Sequence, residues 1–209
     1  MSLVNFAARE ITCKIVYYGP GRSGKTTNLQ YVYGRVPETR RGRMVSLATQ
    51  TDRTLFFDFL PLELGSISGF TTKFQLYTVP GQSYYNATRK LVLQGADGVV
   101  FVADSQARRF DDNMESLQNL QDNLLSQGVD IRQLPVVFQY NKQDLPRDLI
   151  LSSDEMDDAL NFRGVQSFSA DALHGTGVFE TLRGIAGIVL RRLSAGASSP
   201  PAAAAAGGR

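Results

Sequence analysis

Cysteine and histidine occur once each, at Cys13 and His174, in a chain of 209 residues. One cysteine excludes an internal disulfide and suits a reducing compartment. Its place in a β-branched run makes Cys13 a small core residue. The solitary His174 reads as a loop side chain and not as a metal ligand. Neither sign of charge is in excess: 22 basic against 20 acidic residues leave a net +2. That balance gives no electrostatic footing for a nucleic-acid partner or a membrane surface. No apolar run approaches the ~20 residues of a membrane-spanning helix. The opening Met1-Ser2-Leu3-Val4-Asn5 has no charged-then-apolar leader pattern, position 2 is not glycine, and no prenylation box closes the chain. Neither export nor a lipid anchor is expected, so the expected location is cytoplasmic.

What is present concentrates in Gly19-Pro20-Gly21-Arg22-Ser23-Gly24-Lys25-Thr26. The spacing G-x-x-x-x-G-K-[ST] is that of a phosphate-cradling loop. Ile11 to Tyr18 before it is β-branched and aromatic, hence a strand. Thr27 to Tyr33 after it carries apolar residues at helical spacing. Strand, glycine loop and helix are the context that makes the pattern a site. Gly19, Gly21 and Gly24 let the chain curl so that backbone N–H groups, including those of Arg22 and Ser23, face one anion. The helix start at Lys25, Thr26 and Thr27 adds further donors and a positive dipole end. Lys25 is expected on the β- and γ-phosphates and the Thr26 hydroxyl on Mg²⁺.

The remaining chain reads as one domain over 1–193, followed by an Ala/Gly/Ser/Pro-rich tail over 194–209 that is expected to be disordered. Thr54–Leu62 and Phe70–Tyr77 are apolar or alternating runs and pair as a hairpin, with Gly65 and Gly69 in the turn. Strands follow at Val99–Ala103, Pro135–Tyr140 and Val165–Phe168, with a shorter one at Met44–Leu47. Helices are expected over Tyr84–Leu93, around Met114, Leu117, Leu120, Leu124 and Leu125, over Ser153–Leu160, and on the stripe from Val178 to Leu193. After residue 80 helices alternate with strands. The fold class is therefore α/β: a mostly parallel central sheet with one antiparallel edge hairpin and helices on both faces. In such sheets ligands bind at the carboxyl ends of the strands.

Three further stretches fall at such ends. Asn141-Lys142-Gln143-Asp144 has the N-K-x-D spacing that guanine recognition requires. The Asp144 carboxylate can accept from the ring N–H and the exocyclic amine of guanine, a donor pair that adenine lacks. Asn141 can bond the ring nitrogen and tie this loop to the phosphate loop, while the Lys142 stem covers the ring face. Ser169-Ala170 places a small residue where a backbone N–H, assigned to Ala170, can reach the guanine carbonyl. In Thr78-Val79-Pro80-Gly81-Gln82, Gly81 can bring its N–H to the γ-phosphate and Gln82 can orient the attacking water. Thr78 stands where an aspartate usually helps to hold Mg²⁺. Thr54 is assigned to the γ-phosphate and Mg²⁺. Arg53 reads equally well as a solvated loop residue or as an arginine finger supplied in cis. Phe56, Phe57, Phe59, Tyr84 and Tyr85 read as core or as a partner surface.

In this order these segments resemble the small Ras-like GTPases, a branch of the P-loop NTPases built as a three-layer sandwich. Ile15–Gly21, Thr54–Leu62, Leu76–Gln82 and Phe101–Ser105 are similar to the signatures of the MglA-like bacterial gliding-motility GTPases, in which Thr78 is usual. The resemblance covers about residues 5 to 193 and leaves the tail out. It implies GTP and GDP as ligands with Mg²⁺, and a cytoplasmic cell-polarity switch whose GTP-bound form gathers at a cell pole. It implies a Roadblock/LC7-type dimeric activator (MglB-like) at the switch segments that supplies no arginine and positions Arg53 and Gln82. Downstream motility or polarity effectors follow from the same resemblance, as does slow unstimulated hydrolysis. Two other readings stay open on the residues: a nucleotide-gated adaptor that barely hydrolyses GTP, favoured by Thr78, and a P-loop kinase or ATPase, opposed by Asp144.

Overall fold

A computed structural model describes residues 3–47, 57–67, 69–82 and 85–197. Strands run over Leu3–Asn5 (β1), Glu10–Tyr18 (β2), Val45–Leu47 (β3), Phe57–Ile67 (β4), Phe70–Thr78 (β5), Gly98–Asp104 (β6), Val136–Asn141 (β7) and Ser167–Ser169 (β8). Helices run over Lys25–Arg35 (α1), Asn86–Leu93 (α2), Phe110–Leu125 (α3), Ser153–Leu160 (α4) and Val178–Ala197 (α5). The strand order is β3-β4-β5-β2-β6-β7-β8, with β1 pairing to β2. Strands β5, β2, β6, β7 and β8 are parallel to one another. The expected hairpin β4–β5 is antiparallel, and the short strands β3 and β1 add two small antiparallel ladders.

Alternation along β2 divides the core. Cys13, Ile15 and Tyr17 point to one face, where they meet Leu29 and Val32 of α1 and Val178, Leu182, Ile185 and Val189 of α5. Val16 and Tyr18 point to the other, against Leu93 of α2, Leu117, Leu120 and Leu124 of α3, and Met156 and Leu160 of α4. All seven residues of β6 are buried, as expected of a central strand covered on both faces. The architecture is the three-layer sandwich anticipated above.

Several boundaries and faces differ from the sequence reading. Gly65 is not in the hairpin turn; it lies inside β4, where the register with β5 shifts between Glu63 and Ser66. A glycine at φ 111° suits such a bulge. Met114 and Leu125 of α3 are exposed, at 42% and 71%. Leu117, Leu120 and Leu124 are buried as expected, and Asn113, Ser116 and Asn123 complete the stripe. Apolar periodicity misses the polar half of it. Asn113 extends the β6 ladder with its side chain: it accepts from the Asp104 N–H at 2.9 Å and donates to the Asp104 carbonyl at 2.8 Å. The last edge strand begins at Ser167, not at Val165. Helix α5 continues through Ala197, past the boundary expected at 193. Residues 198–209 lie outside the described residues.

A buried amide pair ties the phosphate loop's helix to the rest of the sheet. Gln139 Nε2 donates to Asn28 Oδ1 at 2.9 Å, and Asn28 Nδ2 donates to Gln139 Oε1 at 2.8 Å. Gln139 also donates to Thr181 Oγ1 at 2.9 Å, joining β7, α1 and α5. Gln139→Leu leaves Asn28 Oδ1 buried without this donor and is expected to cost ~1–3 kcal/mol in urea unfolding. A loss below ~0.5 kcal/mol, the range of ordinary surface substitutions, would show that the pair does not bind these elements together.

Candidate nucleotide-binding site

Five loops leave the carboxyl ends of β2, β5, β6, β7 and β8, and parallel pairing brings them to one end of the sheet. The first runs from Gly19 to Gly24. Its helix, α1, has no side-chain cap at Gly24 and no acidic residue in its first turn. Uncapped N–H groups and an uncompensated dipole end favour an anion there. Lys25 is buried and donates to the carbonyls of Gly19 at 2.9 Å and Pro20 at 2.6 Å. Burial, with the nearby Arg89 charge second, lowers its pKa to about 7 against the pull of Asp58. A phosphate supplies the countercharge that this ammonium lacks. Thr26 donates through Oγ1 to Asp58 Oδ2 at 2.6 Å. Thr27 is half-buried beside it, Arg22 is exposed at φ 64°, and Ser23 is fully buried.

The β5 loop lies directly on this cradle. A Cβ on Gly81 would stand 2.3 Å from the Cα and N of Gly21, so only glycine permits the approach. Gln82 is exposed and borders a cleft of about 310 Å³ shared with Pro20, Gly21, Gly81, Arg89 and Arg109. Arg53 and Thr54 lie outside the described residues, as do Phe56 and Tyr84. Phe57 and Phe59 pack against Tyr77 at ring distances of 5.8 and 4.9 Å, which places them at the edge of the core.

Sequence reasoning missed three side chains here. Asp58, fully buried on β4, accepts from Thr26 and also from Thr78 Oγ1 at 2.7 Å. Arg89, 3% exposed, donates to Asn119 Oδ1 at 2.8 Å and to the Gly81 carbonyl at 3.4 Å. Arg109 donates to the Gly21 carbonyl at 3.0 Å and pairs with Asp112 at 2.7 Å. Asp58 was concealed in an apolar strand. The two arginines carry no motif, and their contacts to Asn119 and Gly21 span 30 and 88 residues of sequence.

The guanine-type loop is joined to the cradle by Asn141. Its Nδ2 donates to the Ser23 carbonyl at 2.7 Å, and its Oδ1 accepts from the Ala172 N–H at 2.8 Å. A Cβ on Gly24 would fall 2.1 Å from Asn141 Nδ2. Both ends of the carboxamide are thus engaged in the expected link between loops, and the second Nδ2 hydrogen is left for a ring nitrogen. Lys142, at φ 72°, reaches Asp104 Oδ2 at 2.5 Å. Asp144 is exposed at the rim, within 4.8 Å of ligand-type atoms of Asp171 and His174. His174 is an exposed loop residue bonded to Asp171 at 2.5 Å.

One assignment is corrected. The Ala170 N–H donates to the Tyr140 carbonyl at 2.8 Å, completing the β7–β8 ladder, so it is not aimed at a base. The Ser169 hydroxyl bonds to Ser153 at 2.5 Å.

The ADP-ribosylation factor family model matches residues 2–187. The chain is 57% identical over 196 residues to the mutual gliding-motility protein MglA of Myxococcus xanthus (strain DK1622), covering 94% of this chain and 100% of that protein. It is 28% identical over 139 residues to ADP-ribosylation factor-like protein 6 of Caenorhabditis elegans, covering 63% and 61% of the two chains. It is 31% identical over 136 residues to the same protein of Caenorhabditis briggsae, covering 63% and 61%.

The Lys25 geometry yields a pH dependence. A bound phosphate raises the lysine pKa above its ligand-free value of about 7. Affinity for GDP is then full below about pH 7 and declines as pH rises through and beyond it, with uptake of about one proton per binding event near pH 8. Calorimetry in two buffers of different ionisation enthalpy measures that uptake. Binding at pH 8 without proton uptake would contradict the burial of this charge.

Proposed function

The chain belongs to the ADP-ribosylation factor family as an MglA-like small GTPase, and from that premise we propose that it hydrolyses GTP slowly on its own and serves as a cell-polarity switch in gliding motility. The observation that carries the reading is the Asn141 amide on the Ser23 carbonyl, which makes the phosphate cradle and the guanine loop one site. The motility role is supported by the printed name of the 57%-identical relative.

The residues fit a nucleotide with Mg²⁺: an uncapped helix start, a buried lysine in need of an anion, and the Thr26 hydroxyl beside a buried carboxylate. Thr26 and Thr54 would hold Mg²⁺, which would supply positive charge against the phosphates. Lys25 binds those phosphates and neutralises charge that develops on transfer. The Gly81 N–H holds the γ-phosphate, and Gln82 orients the attacking water. Arg53 supplies the cis cation once the switch segment is closed over the site. Asp144 accepts the two guanine donors and rejects adenine, which lacks that donor pair.

A Roadblock/LC7-type dimer of the MglB kind closes the switch segments and accelerates turnover without contributing an arginine. The GTP-bound form gathers at a cell pole and engages motility or polarity effectors, while the GDP-bound form is diffuse in the cytoplasm. The adaptor reading, in which GTP is held and barely hydrolysed, rested on Thr78. The Asp58 carboxylate bonded to that hydroxyl supports the hydrolase reading instead.

Single-turnover hydrolysis with saturating activator tests the proposal. Arg53→Ala should lower the stimulated rate by roughly 10³-fold or more. Gln82→Ala should do the same by roughly 10²-fold or more. GTP affinity should stay within about threefold in both, since neither interaction is made fully before the transition state. Unchanged rates in both variants would remove these roles, and no stimulated phosphate release at all would favour the adaptor. Guanine selectivity is read separately by thermal shift. GTP should stabilise the protein and ATP should not, and Asp144→Asn should erase the difference.

A further inference from the structure

A carboxylate without solvent needs donors or a cation around it. Asp58 has three hydroxyl donors: Thr26 and Thr78 on Oδ2 at 2.6 and 2.7 Å, and Ser46 Oγ on Oδ1 at 2.5 Å. Its own N–H donates to Thr78 Oγ1 at 2.9 Å, so Asp58 and Thr78 are joined twice. Among the described residues no Lys, Arg or His forms an ion pair with it. A buried, ionisable side chain is thus aimed at the Thr26 hydroxyl, which the phosphate loop offers to a metal.

We propose that Asp58 is the carboxylate of the divalent-cation site, acting from β4 where an aspartate at position 78 would act from β5. This rests on the GTPase reading above. Thr78 is the tether: its hydroxyl donates to the carboxylate and accepts the Asp58 N–H, which fixes the carboxylate's direction. The proton of Thr26 goes to Asp58, which leaves the Thr26 oxygen lone pairs for a hard cation and increases their donor strength. Carboxylates placed behind a ligand in this way orient it and the waters that Mg²⁺ retains. The carboxylate that would orient the metal's ligands is thereby held by Ser46 of β3 and by Thr78 at the end of β5. Thr78 ceases to be a defect of the site. A second carboxylate there would stand within hydrogen-bonding distance of the first, where two like charges oppose joint ionisation.

The test is the release rate of a fluorescent GDP from full-length protein, followed across free Mg²⁺ concentration. This reads the metal without requiring hydrolysis. Chelation should accelerate release from the parent on the order of tenfold or more. In Asp58→Asn the Mg²⁺ concentration giving half the slowing should rise by about 10- to 100-fold. Thr78→Val keeps the carboxylate and removes its tether, and should shift the same midpoint in the same direction by a smaller factor. It also serves as the test should Asp58→Asn fail to fold. Midpoints equal to the parent's in the folded variants, with the parent still Mg²⁺-sensitive, would overturn the assignment and leave the GTPase reading intact. A parent that takes up no GDP would instead contradict that reading and the inference with it.

Discussion

The Asn141 carboxamide is bonded at both ends, to the Ser23 carbonyl in the phosphate loop and to the Ala172 N–H in the loop after β8. Strand β6 lies between β2 and β7, so the two loops begin about 10 Å apart at the usual strand spacing. Only a side chain that reaches across this gap can fix one loop relative to the other. The bridge in turn dictates Gly24, since any Cβ there would collide with the amide. It also depends on the β7 register, which the Gln139–Asn28 amide pair holds against α1. Base recognition and phosphate recognition are consequently one mechanical unit.

Charge at the phosphate end is arranged for a ligand that brings its own negative charge. Lys25 and Arg89 are both buried, and each lowers its cost by donating to backbone carbonyls. Burial, with the Arg89 charge second, lowers the Lys25 pKa, and an anion bound there would raise it. Asp58 balances part of this charge and meets the Thr26 hydroxyl. Arg89 and Arg109 hold the carbonyls of Gly81 and Gly21. Helix α2 and the residue that precedes α3 thus support the loops that would touch the γ-phosphate.

Local chemistry made much of this legible in the sequence. The Gly19–Thr26 spacing, the strand before it and the helix after it specify their site without outside help. The tie from Asn141 to the phosphate loop was readable because N-K-x-D ends a buried strand. The readings that failed each depended on a distant partner. Met114 and Leu125 looked like core because apolar period alone cannot register that Asn113, Ser116 and Asn123 fill the stripe. The Ala170 N–H looked available until the β7–β8 ladder engaged it. Asp58 was hidden in an apolar run, since its role depends on a hydroxyl 20 residues later on the neighbouring strand. Gly65 read as turn because a bulge and a turn make the same demand on φ.

Nucleotide content of the freshly purified protein tests the central claim most directly, because a single joined site should retain its ligand through purification. Denaturing the protein and separating the released nucleotides should yield guanine nucleotide in amounts equimolar with the chain and almost no adenine nucleotide. Protein that is folded and carries no nucleotide, takes up none from micromolar GDP, or carries adenine nucleotide instead, would contradict the joining of phosphate and guanine recognition through Asn141.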